Sequence, residues 1–370
     1  MAQSFPHGRG AVVLPMLALM ASAGFFLGAG WLNTAPPAAI VVIASFAAVL
    51  LIGAVFSALD HAEVVGVWLG EPYGTLVLTI AVTIIEVAAL VSMIAYGADD
   101  PTEAREAVFS AIMIICNGLV GLCLLLGGYR HGEQELQPMG ASAYLAVLIA
   151  LSVLTLIIPD YTTSAAGPRL TSLQLVFISF LSLILYGAFL FIQTVRHRSY
   201  FLDARSAAKG HFDTRPTARQ ALVAGVGLVA SLIGVVILAD HVVPAMEEGF
   251  AWLHVRNVNA ASGAALAALV LLPESLNAIR AASRNALQTA LNCALGSVVA
   301  TIGLTVPAIS FFCLLTGHDI VFGLEKRDTM MLLLTLMISI VSFGAGRTNV
   351  LTGLVHLVVF AAYVFFIFVP

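Results

Sequence analysis

Hydrophobic positions in this chain fall in long runs, with little of the alternation that marks half-buried strands. A hydrocarbon core of roughly 30 Å needs about 20 apolar residues per helix. On that ruler the runs predict 11 transmembrane helices, at 11–32, 36–59, 73–97, 105–127, 141–159, 170–195, 220–243, 260–282, 285–315, 329–346 and 349–369. Arg9 and the Ala21-Ser22-Ala23 triplet give the first run some look of a signal peptide, yet the run continues to Leu32, which predicts a retained helix. The longest hydrophilic stretch, 196–219, holds Arg196, Arg198, Arg205, Lys209, Arg215 and Arg219. The fold expected is all-α and polytopic.

Composition strengthens the expectation. The 370 residues are 60% hydrophobic and 10% charged, with a mean hydropathy of +1.02, whereas soluble domains are about half apolar and about a quarter charged. Membrane lipid is therefore the bulk partner. A net charge of −4, with basic residues gathered only at 196–219, excludes a nucleic-acid partner. Cys116, Cys123, Cys293 and Cys313 all lie in apolar runs without a CxxC or Cys/His cluster, and read as small hydrophobes without a disulfide or zinc site.

Charge then orients the helices. With the amino terminus inside, inner loops hold 11 basic residues and outer loops 5 (Arg105, Arg169, Arg256, Lys326 and Arg327), as the positive-inside rule requires. Acids gather on the opposite rim at Asp99, Asp100, Glu103, Asp160, Glu247, Glu248 and Asp319. The 196–219 stretch reads as a basic cytoplasmic linker.

An internal repeat follows. In one stretch a helix is expected to end at Asp60-His61, Glu63 follows, and the next helix carries Glu86. In the other a helix is expected to end at Asp240-His241, Glu247 and Glu248 follow, and the next helix carries Glu274. The expected organisation is an N-terminal helix (1–35), a five-helix repeat (36–195), the linker (196–219) and a second five-helix repeat (220–370). Five is odd, so the second repeat enters the bilayer inverted, and inverted repeats place a site at their interface near half depth.

Glu86 and Glu274 carry the candidate chemistry. A lone carboxylate at mid-bilayer costs about 2.5–3.5 kcal/mol on insertion scales, so such a group is functional by default. Two facing carboxylates share protons or a cation and titrate together. Thr75, Thr79, Thr83 and Glu86 follow i, i+4, i+8 and i+11, one helical face. Asn117 and Ser110 share a face of the next helix. Asn277 lies one turn beyond Glu274, and Ser297, Thr301 and Thr305 make a second i, i+4, i+8 line with Asn292 nearby. These are oxygen ligands of the kind hard cations take. Each hydroxyl alone can equally be helix–helix glue. Glu71, Asp60, Glu63 and Asp240 are candidate rim residues guiding cations, or solvated caps. Pro273 frees a backbone carbonyl near Leu269 and bends its helix. Pro307 does likewise in the ninth segment, where Gly296 and Gly303 permit close approach. His356 reads as a packed histidine.

The stretches 70–93, 107–128 and 271–308 resemble the bacterial Cha-type cation:proton antiporters of the calcium:cation antiporter superfamily, relatives of the vacuolar calcium/proton exchangers. The resemblance runs from about helix 2 to helix 11. It implies two inverted five-helix repeats around the glutamate pair and export of Ca²⁺, Na⁺ or K⁺ in exchange for H⁺, without a cofactor. The family signature puts Gly-Asn just before each glutamate; here Val82-Thr83 and Val270-Leu271 stand there. Two amide oxygens are lost, so the expected site is poorer for Ca²⁺, which takes six to eight oxygens.

Two other classes fit less well. A proton-coupled exporter of an organic cation or drug needs an aromatic-lined cavity, and small residues dominate around both glutamates. A membrane enzyme would show a motif such as HExxH or GxSxG, and the chain has neither.

Overall fold

Backbone N–H and C=O groups in hydrocarbon must be satisfied inside their own segment or by neighbouring protein, and helices do this locally. A computed structural model describes residues 16–20, 37–70, 73–96, 100–201 and 216–369, and the apolar runs are helical throughout. In chain order they are α1 (Pro37–Leu69), α2 (Tyr73–Tyr96), α3 (Glu103–His131), α4 (Pro138–Tyr161), α5 (Ser172–Arg196) and α6 (Ala218–Trp252). There follow α7 (Val258–Val270), α8 (Leu272–Ser283), α9 (Leu287–Thr316), α10 (Lys326–Gly344) and α11 (Val350–Phe368). Among the described residues nine helices are long and apolar enough to cross a membrane, ten if α7 and α8 make one bent span. Of the predicted helix at 11–32 only 16–20 is described, and it is helical. The linker residues 202–215 lie outside the described residues.

Two expected helix ends are corrected. α1 runs through Asp60-His61 to Leu69, and α6 runs through Asp240-His241 to Trp252. Asp and His do not break a helix when the next residues still offer a buried face, as Ala62 and Val242 do. α1 stops only before Gly70, whose φ of +71° suits glycine. α6 has 35 residues, about 52 Å at 1.5 Å per residue, well over the hydrocarbon thickness.

The chain forms two compact units. One comprises α1, α2 and α6; the other comprises α3 to α5 and α7 to α11. In the first, α1 buries Ala47, Leu51, Ala54, Val55, Ala58 and Ala62, a single face at helical spacing. Hydroxyls tie its helices together: Ser231 donates to Ser57 at 3.2 Å, and Ser92 of α2 bonds Asp240 of α6. At the turn between α1 and α2 a Cβ on Gly74 would stand 2.5 Å from the Gly66 carbonyl oxygen. Only glycine permits that approach.

In the second unit α3 is the central helix, 78% buried over its apolar window against 28% for α5 and α11. Small residues let its neighbours close in, as membrane helix packing favours. Gly263 of α7 lies against the Glu106–Ala107 backbone, and Gly353 of α11 lies against Leu125 and Gly121. Gly303 of α9 faces the Tyr186 ring, fulfilling the close approach expected there. Gln134–Glu135 and Arg347–Thr348 pair as a short antiparallel ladder where α3 and α10 end.

Among the described residues two helices begin with capping boxes. Thr171 accepts from the Gln174 N–H and the Gln174 side chain accepts from the Thr171 N–H; Thr217 and Gln220 repeat the arrangement. Among the described residues four helices also contain π turns: Ile114–Leu119 in α3, Val153–Ile157 in α4, Ile192–Arg196 in α5 and Thr301–Thr305 in α9.

The glycine contact between α11 and α3 makes a direct test. A Cβ at Gly353 would meet the Leu125 nitrogen at 2.5 Å and the Gly121 oxygen at 2.8 Å. Gly353→Val is expected to destabilise the protein by about 1–3 kcal/mol, the usual penalty of overpacking. Gly225→Val, at a position where a Cβ meets nothing within 4 Å, should shift thermal unfolding in detergent far less.

Candidate functional site

Glu86 sits midway along α2 with 7% of its surface exposed. One turn earlier, the Thr83 hydroxyl is buried without a hydrogen-bond partner among the described residues, and Thr79 is half-buried. Further along α2, Ser92 bonds both the Ala88 carbonyl, at 2.9 Å, and Asp240. Asp240 is thus fastened to the glutamate helix six residues beyond Glu86. Asp60 and Glu63 are exposed on the extended part of α1. Between them the buried His61 Nδ1 lies 2.6 Å from the Ser57 carbonyl oxygen. Glu71 lies outside the described residues.

Glu274 has a different setting. The expected kink at Pro273 is a full break: α7 ends at Val270, α8 begins at Leu272, and the two are bent by 58°. Proline has no N–H to give the Leu269 carbonyl, and it suits the first turn of a new helix, where that donor is not needed. Glu274 consequently occupies the first turn of α8, half-buried. There the helix dipole favours the carboxylate. The Cys293 thiol of α9 points to the Glu274 carbonyl at 3.4 Å.

The other expected polar residues separate into two groups. Asn117 is wholly buried in the π turn of α3, where its amide nitrogen donates to the Thr335 hydroxyl at 2.8 Å. Its carbonyl oxygen has no partner among the described residues. The Ser297 hydroxyl on α9 is likewise buried without a partner there, and Thr301 bonds the Ser297 carbonyl at 3.0 Å. The elements carrying Glu274, Ser297 and Asn117 are mutually packed. Asn277 is exposed. Asn292 accepts from Gln288 and donates to the Phe201 carbonyl, so its side chain is engaged in packing α9.

Sequence reasoning missed the π turns. They widen the helix and re-aim its groups, often at functional positions. Pro307 gave a signal for one: lacking an N–H for the Gly303 carbonyl, it follows the α9 π turn at once, and the helix continues. In α3 no residue type announces it.

Buried ion pairs stand near the rim acids of the second unit. Arg105 is buried and reaches Glu106 at 2.6 Å and the Gly323 carbonyl at 2.8 Å. Arg327 pairs with the buried Asp328 at 2.9 Å. Two of the five basic residues assigned to outer loops are therefore neutralised by their sequence neighbours. Burial would push the Asp100 carboxyl up, but hydrogen bonds from Thr102 and Asn259 and the nearby Arg105 hold it below the usual carboxylate range.

A buried carboxylate within a long apolar helix, and a half-buried one at a helix break backed by unpartnered hydroxyl and amide oxygens, point to an ion-handling multi-pass membrane protein. Comparison narrows the class. The chain belongs to the Sodium/calcium exchanger protein family, whose profile matches residues 38–195 and 223–369. It is 42% identical over 331 residues to the protein described as ionic transporter y4hA of Sinorhizobium fredii, covering 89% of each chain. To the sodium-potassium/proton antiporter ChaA of Escherichia coli it is 34% identical over 366 residues, covering 98% of this chain and 97% of that one. The solved structure of native YfkE has the same fold at a TM-score of 0.70, with 16% identity over 97% of this chain and all (100%) of that one.

Removing the cation from a buried pair strands its partner, at a cost of about 3–5 kcal/mol. Arg105→Gln, which leaves Glu106 without its guanidinium, is expected to lower stability on that scale. Thermal unfolding of the purified protein would measure it, and the double variant Arg105→Gln with Glu106→Gln should recover part of the loss.

Proposed function

We infer that this chain is a secondary antiporter of the bacterial plasma membrane that exports Ca²⁺, Na⁺ or K⁺ in exchange for H⁺ by alternating access. Glu86 and Glu274 form its shared cation and proton site. The observation that carries this reading is the placement of Glu86: a carboxylate 7% exposed in the middle of an apolar helix, beside a buried Thr83 hydroxyl. A resident structural charge there would be unfavourable, whereas a site alternately holding a cation and a proton needs one. The proton antiport of the relative with 34% identity and the family membership support the exchange reaction.

Two features support the inverted five-helix repeats at 36–195 and 220–370. The π turn of α3 starts 28 residues beyond Glu86 and that of α9 starts 27 beyond Glu274. Both helices preceding the glutamates run past their Asp-His pair. In this reading the amino terminus and 196–219 face the cytoplasm, by the basic-residue bias. Asp60 and Glu63 lie at the inner mouth and Asp240 at the outer one, drawing in small inorganic cations. Thr79, Thr83, Asn117, Asn277, Ser297 and Thr301 supply hydroxyl and amide oxygens to a cation shed of part of its water. Together with the two carboxylates these neutral oxygens complete the ligand set.

Glu86→Gln and Glu274→Gln are each expected to abolish exchange in proteoliposomes under an imposed proton gradient, tested with Na⁺, K⁺ and Ca²⁺ separately, while the protein stays folded. Near-wild-type exchange in either variant would overturn the assignment. Because protons compete with the cation for the same carboxylates, cation affinity should fall as pH drops, by up to about tenfold per pH unit for each proton displaced. Affinity that stays flat between about pH 5 and pH 9, a range bracketing the raised values of buried glutamates, would count against a shared site.

A further inference from the structure

Asn117 is wholly buried in the α3 π turn, and its amide nitrogen is held on two sides. It donates to the Thr335 hydroxyl of α10 at 2.8 Å and to the Met113 sulfur at 3.7 Å. A thioether sulfur can only accept. The Thr335 hydroxyl, also wholly buried, gives its single hydrogen to the Met331 carbonyl one turn back, at 2.8 Å. The Met113 sulfur, 3.4 Å from that hydroxyl, is the weaker acceptor for the same hydrogen. Thr335 therefore offers Asn117 only lone pairs. Both neighbours demand the NH₂ end of the amide, so the carbonyl oxygen turns the other way, and it has no partner among the described residues.

The surrounding helices set the depth of that oxygen. Just beyond the end of α3 the Gln134 amide donates to Asn285, just before the start of α9, at 2.8 Å, so the two helices run antiparallel. Their thiols Cys123 and Cys293 are neighbours, and Cys293 points to the Glu274 carbonyl at 3.4 Å. At 1.5 Å per residue Asn117 stands about 9 Å from that level along α3, and Ser297 about 6 Å from it along α9, on the same side. The two unpartnered oxygens thus lie within about one helical turn of each other in depth. The π turn that carries Asn117 also packs against α8, the helix of Glu274.

We propose that Thr335 is a positioning residue of the cation site: by accepting from Asn117 it fixes the amide with its carbonyl oxygen turned to the cation. The proposal rests on the antiport reading above, in which Asn117 supplies one of the neutral oxygens. An asparagine held by nothing could exchange oxygen and nitrogen by a half-turn about its last bond, and its NH₂ hydrogens would then face the cation. Partners that orient an ion's ligands are worth about ten- to hundredfold in affinity. As mere glue between helices, the bond would join α3 to α10 whichever end of the amide took part. The Met331 and Met113 contacts select one end.

The test uses the full chain in proteoliposomes and measures the half-saturating concentration and the maximal rate of proton-driven uptake, with Na⁺, K⁺ and Ca²⁺ each alone. Thr335→Val keeps the shape and removes the hydroxyl. It is expected to raise the half-saturating concentration of the transported cation about tenfold, the lower end of that range. The maximal rate should stay within about twofold, the pattern of lost binding rather than lost turnover. Thr335→Ser, which retains the hydroxyl, should stay near wild type. In an Asn117→Ala protein, whose half-saturating concentration is itself raised, adding Thr335→Val should change nothing further, because the group it orients is gone. Thr335→Ala replaces the valine variant should that one misfold. An unchanged half-saturating concentration in the folded variant, whether or not its thermal stability falls, would overturn the proposal. So would a full further shift in the Asn117→Ala background. Wild-type affinity in Asn117→Ala, with Glu86→Gln and Glu274→Gln inactive, would overturn it while leaving antiport standing. Proton-driven uptake absent from the wild type would remove the antiport reading as well.

Discussion

Backbone groups in hydrocarbon cannot turn to water, and most of this structure follows from that constraint. Among the described residues the helices α1 to α11 satisfy their own ladders, and the places where a ladder is altered are few enough to name. α7 and α8 part where Pro273 withholds an N–H, and α9 widens into a π turn just before Pro307. α3 widens at Ile114–Leu119 with no proline to prompt it. Glu274, Thr301, Thr305 and Asn117 all lie at these altered places. The polar chemistry of the second unit is collected where the backbone itself has groups to offer.

Hydroxyls and glycines divide the remaining work. Many buried serines and threonines return their hydrogen to the carbonyl one turn back, as Thr155, Ser182, Ser310 and Ser339 do, and so cost their helices little. Those that do otherwise are the informative ones. Thr83 and Ser297 keep unpartnered oxygens, Ser342 reaches an imidazole on another helix, and Ser92 reaches a carboxylate on another helix besides the carbonyl one turn back. Glycine allows the helices bearing these groups to approach to backbone distance, so short side chains can bridge them.

Much of this was legible beforehand, because apolar run length is a direct physical requirement of the bilayer. Glu86 and Asn117 stood out for the same reason, being polar groups with no solvent within reach. The break at Leu271 was legible only as a bend, since proline signals a missing donor but not how far its neighbours rotate. Helix ends at the two Asp-His pairs were misplaced because polarity was taken as a stop, when only a loss of buried face or a glycine such as Gly70 stops a helix. Arg105 looked like a loop residue: its pairing with Glu106 and the Gly323 carbonyl depends on a contact 218 positions away in the chain. The π turn of α3 leaves no mark on residue spacing at all.

The capping boxes at Thr171 and Thr217 have a consequence for vertical position. Apolar helices such as α5 and α6 could slide along the bilayer normal with little change in the area they expose to lipid. A Thr–Gln box resists sliding, because moving it inward would draw its polar groups into hydrocarbon and moving it outward would uncover apolar turns behind it. Each box thus acts as a depth gauge at the start of its helix, setting how high every later residue stands in the membrane.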